Sequence, residues 1–379
     1  MQCMSSIDVC IRGQGAVGLS LGLALARQGL RVGVATDAVS GIADPVPALP
    51  DVRAYALNAA SRRLLQDLRV WDALPADAVT PVDEMQIEGD APGGRLDFSA
   101  WQQGTEALAW IVDAAELEAA LRTAARFSPH LAWLGEADTA DAPLTVLAEG
   151  KASAGRAALG VHFERQGYGH TALAARLQAD EPHTGVARQW FRSPDVLALL
   201  PLDRPAPGSS YGLVWSLPTE RAAALRDAPV AQFEAALAEA TGGAAGHLRL
   251  ASERSAWPLA LAQADRVCGP GWALVGDAAH LVHPLAGQGL NLGLGDVDAL
   301  ARVIAEREPW RALGDEIMLR RYARERAGPT RAMAVLTDGL LHLFAQPQPG
   351  LRELRNRGLG LLNHLAPLKR LLTTRALGQ

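Results

Sequence analysis

The sequence predicts an α/β fold in which strand–helix units flank a β-rich insertion. The glycine-rich turn "GQGAVG" lies between a β-rich run, "IDVCIR", and a helix-forming run, "LSLGLALARQGL". A second glycine-rich segment, "LVGDAAHLVHPLAGQGLNLGLGDVDAL", starts at Leu274. Between them lie apolar, β-rich runs such as "VLALLPL" and "YGLVWSL", with no low-complexity linker. We therefore expect a nucleotide-binding domain that is interrupted by a second domain, rather than two domains in series.

The first glycine-rich turn has the spacing G-x-G-x-x-G, formed by Gly13, Gly15 and Gly18. In a Rossmann-like unit these glycines allow a tight turn, close approach to a pyrophosphate, and close contact between helix and strand. The pyrophosphate would bind N–H groups at the helix start, near Ala16 and Val17. A turn without a ligand is the alternative; the preceding strand and the following helix favour the nucleotide site.

The remaining runs predict further elements in order. "RVGVAT" and "LTVLAEG" predict buried strands, and "VRAYALNAASRRLLQDLRVWDAL" predicts a loop that enters a helix. "EMQIEGDAPGGRLDFSA" predicts a hairpin, while "DAAELEAALRTAAR" and "VAQFEAALAEA" predict helices. "GVARQWF" belongs with the β-rich runs, "WALVG" predicts one more buried strand, and helices are expected after it.

Composition narrows the class of protein. The chain has 379 residues, half of them hydrophobic, and a formal net charge of −5, which argues against nucleic acid as a partner. Three cysteines are too few for a disulfide framework. His280 and His283 have no third ligand nearby in the sequence, so we predict no metal site. The absence of a signal peptide and of a long apolar run predicts a cytoplasmic protein.

The C-terminal segment from Leu351 onward is basic and apolar, with Glu353 as its one acid. It fits two descriptions. One is a terminal helix packed on the core; the other is a segment that lies on anionic lipid at the inner membrane face or docks a partner.

Five stretches together make the chain resemble the flavin-dependent aromatic hydroxylases, most closely the ubiquinone-biosynthesis hydroxylase family. They are "GQGAVGLSLGLALARQGLRV", "DVRAYALNAAS", "LAEGKASAGR", "YGHTALAARLQADEPHTGVARQWF" with "LALLPL", and "LVGDAAHLVHPLAGQGLNLGLGDVDAL". The resemblance implies a para-hydroxybenzoate hydroxylase-like fold. Its Rossmann-like FAD-binding domain would comprise residues 1–75, 100–180 and 265–340. The β-rich substrate domain would comprise residues 76–99 and 181–264, and C-terminal helices would follow at 341–379.

The resemblance assigns the second glycine-rich segment to the flavin half of FAD. Asp277 would accept hydrogen bonds from the ribityl chain, and Pro284 would lie along the isoalloxazine ring. Backbone N–H groups near Gly287, Gln288 and Gly289 would face the ring at a helix start, followed by Leu290 and Asn291. The glycines of this segment, which are Gly287, Gly289, Gly293 and Gly295, would be needed because a Cβ would collide with the ring. Pro284, Gly287 and Gln288 would form the catalytic environment, with no acid or base assigned.

The resemblance assigns roles to four more residues. Arg53 is expected near the FAD phosphates, and three residues are expected to support FAD and the nicotinamide cofactor: Glu149, Gly150 and Arg156. Three positions depart from the family pattern. Thr36, followed by Asp37, stands where an acid holds the ribose; Arg12 replaces an apolar residue; and Glu149 replaces Asp. We hypothesise that Arg12 compensates by neutralising pyrophosphate. The alternative is that Arg12 pairs with a surface acid and the site is merely weak.

The resemblance also implies the chemistry. NAD(P)H would reduce FAD, and O₂ would then form a flavin hydroperoxide that transfers hydroxyl to an aromatic ring. The expected substrate is a prenylated phenol or quinol of ubiquinone biosynthesis, within an assembly or in peripheral contact with the membrane. The alternatives are hydroxylation of a small soluble aromatic, and a non-catalytic paralogue in a biosynthetic assembly.

Overall fold

The structure is a computed structural model that describes residues 7–35, 51–90, 94–135, 142–282 and 288–345. Within these ranges the strands form three sheets, with nine α-helices packed against them. In the same part of the chain, no helix has the length and apolar composition that crossing a bilayer requires. The C-terminal segment that could lie on lipid falls outside the described residues, as does the turn of the predicted hairpin at 91–93.

The first sheet has the order β16-β17-β9-β1-β2-β8 in the described part of the chain. Its strands are β1 (Val9–Arg12), β2 (Val32–Ala35), β8 (Leu131–Leu134), β9 (Leu144–Leu147), β16 (Cys268–Gly269) and β17 (Trp272–Leu274). All neighbours are parallel except β16 and β17. The predicted strands in "IDVCIR", "RVGVAT", "LTVL" and "WAL" are therefore confirmed. They form the continuous apolar runs that a parallel sheet buried on both faces requires.

The helices cover this sheet and the β-rich region. Leu19, Leu121 and Leu300 come from three different helices and are fully buried in one core beside the first sheet. The predicted helices after "GQGAVG", in "DAAELEAALRTAAR" and in "VAQFEAALAEA" are confirmed. The helices are α1 (Ala16–Ala26), α2 (Ala59–Asp67), α3 (Ala100–Gln103), α4 (Ala114–Arg126), α5 (Ala154–Ala158), α6 (Thr219–Asp227), α7 (Val230–Thr241), α8 (Gln288–Ala305) and α9 (Glu316–Ala345).

The second sheet has the order β18-β15-β10-β13-β12-β11-β5-β6 among the described residues, with β14 paired to β10. Its strands are β5 (Glu84–Glu88), β6 (Arg95–Ser99), β10 (Phe163–Ala179), β11 (Val186–Arg192), β12 (Asp195–Leu202), β13 (Ser210–Pro218), β14 (Leu248–Leu250), β15 (Ser255–Ala264) and β18 (His280–Leu281). The antiparallel pair β5–β6 confirms the predicted hairpin.

The long strand β10 joins residues of both expected domains in one sheet. The resemblance assigned residues 100–180 to the FAD-binding domain, and β10 pairs with β13 and β15 inside the second sheet. Its partners lie tens of residues away, so local patterning does not reveal them. The domain limits themselves stay a prediction.

The third sheet, β3-β7-β4, covers one face of the second. Its strands are β3 (Ala54–Leu57), β4 (Val79–Val82) and β7 (Ala109–Asp113). Ala56 and Ile111 pack in one cluster with Ala187 and Leu200 of the second sheet. The prediction of a loop before α2 was wrong for residues 54–57, because β3 gains its hydrogen bonds from β7, more than fifty residues later.

The two glycine-rich segments pack directly on each other. A Cβ at Gly293 in α8 would lie 2.6 Å from Val17 Cγ2 in α1 and 3.3 Å from the Gly276 Cα. A Cβ at Gly295 would lie 3.0 Å from the Arg326 guanidinium. The expectation that these glycines make room for a ligand was therefore wrong at both positions. There the missing side chain makes room for other residues of the same chain. At Gly289, by contrast, no described atom lies within 4 Å of the added Cβ.

We predict that Gly293→Ala destabilises the protein by about 1–3 kcal/mol, because the new methyl group overpacks the α1–α8 contact. The matched change Gly289→Ala should keep or raise stability by up to about 1 kcal/mol, since Ala favours helix and meets no described neighbour. Urea unfolding of the apoprotein measures both. Equal effects of the two substitutions would contradict the packing described for Gly293.

Candidate functional site

The three glycines of the first turn have three different environments. Gly13 has φ +120°, and a Cβ there would lie 2.2 Å from the Ala148 carbonyl oxygen. A Cβ on Gly18 would lie 2.1 Å from the Gly13 carbonyl oxygen, so Gly18 permits close contact between α1 and the turn. A Cβ on Gly15 would meet no described atom within 4 Å. The turn thus keeps open space at the position where the motif brings a pyrophosphate to the backbone.

The start of α1 fits an anion. Gly15 is the N-cap in an extended conformation; no side chain caps the helix, and its first turn contains no acidic residue. The first N–H groups of a helix have no partner within the helix, and they carry the positive end of its dipole. A phosphate group would satisfy both conditions.

Asp277 lies in the short 3-10 turn Gly276–Ala278, between β17 of the first sheet and β18 of the second. Gly276 contacts the first motif, because a Cβ there would lie 3.2 Å from Val17 Cγ2. Burial raises the pKa of Asp277, opposed by the positive charges of His280 and Lys151. Its half-buried carboxylate accepts no hydrogen bond from the described residues, so the side chain remains available to a ligand with hydroxyl donors.

A buried carboxylate on α8 holds this turn in place. Asp296 is fully buried and accepts hydrogen bonds from the Gly276 N–H at 2.8 Å, from His280 Nε2 at 2.7 Å and from Arg326 Nε at 2.7 Å. Burial acts to raise the pKa of Asp296, but the charges and hydrogen bonds of His280 and Arg326 hold it below its usual value. Asp296 is therefore a charged anchor that links β18, α9 and the Asp277 turn.

The loop after β9 packs beside this turn. Glu149 Oε1 pairs with Arg12 Nε at 2.9 Å, and Glu149 Oε2 accepts from Ser153 Oγ and from the Gly155 N–H at 2.8 Å. Arg156 donates to the Ala278 carbonyl at 2.9 Å. Two departures from the family pattern, Arg12 and Glu149, thus form an ion pair. The alternative interpretation paired Arg12 with a surface acid, whereas the side chain of Glu149 is only 9% exposed. Whether Arg12 also compensates at the pyrophosphate stays a prediction.

Two predicted residues have protein partners. The Asn291 side chain donates to the Ala56 carbonyl at 2.7 Å and accepts from Ser61 Oγ at 2.7 Å, so a cofactor contact there would involve its backbone. Arg53 pairs with Asp51 and Glu118 at 2.6 and 3.1 Å, so carboxylates compete with phosphate for it.

Several other predicted positions contribute less information. Leu290 packs partly buried against the core beside the first sheet. Gln288 begins α8. Thr36, Asp37, Pro284 and Gly287 lie outside the described residues, as does His283.

The sequence analysis missed Asp296. His280 was considered only as a metal ligand and dismissed, whereas it donates to this carboxylate. The available signal was an acid within the apolar run "LNLGLGDVDAL", two residues before a second acid, Asp298.

These features define the class: an FAD-dependent monooxygenase fold of the para-hydroxybenzoate hydroxylase type. Residues 101–337 match the family described as "FAD binding domain". The structure of PqsL from Pseudomonas aeruginosa in complex with 2-aminobenzoylacetate aligns with a TM-score of 0.75 at 22% identity, covering 93% of this chain and 99% of that chain.

Two relatives narrow the class further. Ubiquinone hydroxylase UbiL of Rhodospirillum rubrum is 32% identical, covering 98% of this chain and 89% of UbiL. The 3-demethoxyubiquinol 3-hydroxylase of Escherichia coli is 30% identical, covering 98% of each. The chain belongs to the ubiquinone-biosynthesis hydroxylase family of FAD-dependent monooxygenases, which confirms the predicted family, fold and FAD cofactor.

We predict that Asp277→Ala weakens FAD binding by about 1–3 kcal/mol while the fold is kept, because it removes an acceptor for the ribityl hydroxyls. Titration of apoprotein with FAD, followed by flavin fluorescence, measures the effect. Asp298→Ala, which removes an exposed acid from α8, serves as the control. An unchanged dissociation constant for Asp277→Ala would show that Asp277 does not contact the cofactor.

The stability contributed by His280 should decrease as pH rises. Burial alone would lower the pKa of His280, but attraction to Asp296 and their hydrogen bond raise it above 6.5. A group whose pKa is raised by folding stabilises the folded state fully below its unfolded pKa, and this stabilisation is lost as pH rises through the folded pKa.

The free energy of unfolding of the parent should therefore exceed that of His280→Gln by more at pH 6 than at pH 9. The exposed His247 provides the control substitution, His247→Gln. A difference for His280→Gln that grows with pH would contradict a charged His280–Asp296 pair.

Proposed function

We propose that this protein uses FAD and NAD(P)H to hydroxylate the aromatic ring of a prenylated phenol or quinol in ubiquinone biosynthesis. The observation that carries the proposal is the position of Asp277. In a chain of this family, a carboxylate that accepts no hydrogen bond from the described residues lies on a turn that contacts Val17 of the first glycine-rich turn. The names of the relatives, a ubiquinone hydroxylase and a demethoxyubiquinol hydroxylase, support the choice of substrate class.

The residues of this chain would hold the cofactor at three places. The α1 N-terminus after Gly15 would bind the pyrophosphate, Asp277 would bind the ribityl hydroxyls, and the α8 N-terminus at Gln288 would face the flavin ring. The positive end of α8 would stabilise negative charge on that ring. Bound FAD supplies the oxygen chemistry, and the protein positions the ring and excludes water.

The same proposal includes contact with a membrane or an assembly. A prenylated substrate partitions into lipid, and the segment from Leu351 onward is basic and apolar, as an interfacial segment requires. The expected arrangement is a peripheral one at the inner membrane face.

The test uses purified protein reconstituted with FAD, NADH or NADPH, and ¹⁸O₂. With 2-prenylphenol, we expect the phenol to stimulate oxidation of the reductant and one ¹⁸O atom to enter the ring, as detected by mass spectrometry. 4-Hydroxybenzoate serves as a small soluble comparison and should react more slowly. Asp277→Ala, assayed at the same FAD concentration, should lose activity in proportion to its lost flavin.

Two outcomes would contradict the proposal in different ways. Faster hydroxylation of 4-hydroxybenzoate than of 2-prenylphenol would show that the protein prefers a small soluble aromatic substrate. A flavin-loaded protein that transfers no ¹⁸O to either compound would indicate the non-catalytic paralogue.

A further inference from the structure

A small cavity lies between the second and third sheets. Its volume is about 30 Å³, enough for a substituent of a few heavy atoms and too small for an aromatic ring. Ala56 and Ile111 of the third sheet lie on one side, and Met85, Ala187 and Leu200 of the second sheet lie on the other. Nearly all of this wall is therefore apolar.

The cavity lies next to the expected flavin position. Ala56 contributes to its wall, and the Ala56 carbonyl accepts a hydrogen bond from Asn291 in the first turn of α8 at 2.7 Å. Since the start of α8 is where the flavin ring is expected, a ring placed beside the flavin could extend a substituent into this cavity.

Two polar residues, Arg188 and Gln189, occur among the residues that line the cavity, all of them in the described part of the chain. Side chains alternate between the two faces of a strand, so these neighbours in β11 point in opposite directions. Arg188 donates to the Tyr211 hydroxyl at 3.1 Å, within the cluster on the far face. Gln189 pairs across the sheet with Ala198, a cavity residue, and therefore shares its face.

The carboxamide of Gln189 is open to the cavity. Gln189 is 8% exposed, and its side chain makes no hydrogen bond with the described residues. Its amide atoms are accessible at the cavity surface rather than wholly buried. A hydrogen-bonding group that faces an otherwise apolar cavity in this way is available to bind a ligand.

We propose that Gln189 orients the aromatic substrate by hydrogen-bonding a ring hydroxyl inside this cavity. A neutral amide can accept from the hydroxyl or donate to it, and it does so without placing a charge among apolar walls. The inference rests on the proposed function, because it identifies the group that holds the ring of that substrate. It implies that the hydroxyl, and not the prenyl chain, sets the angle of the ring.

The test compares 2-prenylphenol with 1-methyl-2-prenylbenzene, in which a methyl group of similar size replaces the hydroxyl. Dissociation constants for the FAD-loaded protein are read from the change in flavin absorbance. The parent should bind the phenol more tightly by roughly three- to tenfold, the range that one neutral hydrogen bond provides. Gln189→Leu should bring this ratio close to one by weakening the phenol alone.

Gln86→Leu is the matched control. Gln86 lies opposite Arg188 on the neighbouring strand β5, and so faces away from the cavity. This variant should keep the preference of the parent for the phenol. The melting temperature of Gln189→Leu should stay close to that of the parent, because leucine is similar in size, suits the apolar walls and breaks no hydrogen bond with the described residues. Gln189→Met provides a second variant without a hydrogen-bonding group.

The outcomes separate this inference from the proposed function. If the parent hydroxylates 2-prenylphenol and both Gln189 variants keep its preference over the methyl analogue, the role of Gln189 is wrong and the function stands. If the parent neither binds nor hydroxylates the phenol, both fail. If the role is right, Gln189→Leu should also form less product for each NAD(P)H oxidised, since a poorly held ring intercepts less of the activated oxygen.

Discussion

The buried charge of Asp296 is the interaction on which the site depends. Residues 272–281 run from the first sheet, at β17, to the edge of the second sheet, at β18, and the turn with Asp277 lies between them. Asp296 accepts two hydrogen bonds from this connector, one from the Gly276 N–H and one from His280. Arg326 of α9 donates a third hydrogen bond to it. Losing His280 or Arg326 would leave the buried charge of Asp296 uncompensated, which is strongly destabilising. Both donors are therefore held in position.

This anchor explains how the two glycine-rich segments come together. Once the turn is held on α8, Gly293 and Gly276 lie against Val17 in the first turn of α1. Asn291 then joins α8 to the third sheet through Ala56. Sequence segments more than 250 residues apart thus pack on each other, which places the residue before Asp277 beside the start of α1.

The parts of the site that the sequence predicted are local. The turn from Gly13 to Gly18 can be recognised from six consecutive residues, and the strands beside it follow from uninterrupted apolar runs. The role of Asp296 could not be predicted in this way, because its partners are 16, 20 and 30 residues distant and come from three different elements. The same holds for β3 and β10, whose hydrogen bonds come from distant strands. The glycines at 293 and 295 wrongly suggested space for a ligand. A neighbouring side chain of the same protein can require a glycine just as a ligand can.

A crystal structure of the protein with bound FAD tests the central claim most directly, namely that Asp296 holds the Asp277 turn ready for the cofactor. We expect a carboxylate oxygen of Asp277 within about 2.5–3.0 Å of a ribityl hydroxyl and the pyrophosphate beside Gly15, with all three hydrogen bonds to Asp296 kept. A structure in which FAD lies elsewhere, or in which binding breaks the contacts of Asp296 with Gly276 and His280, would contradict the account.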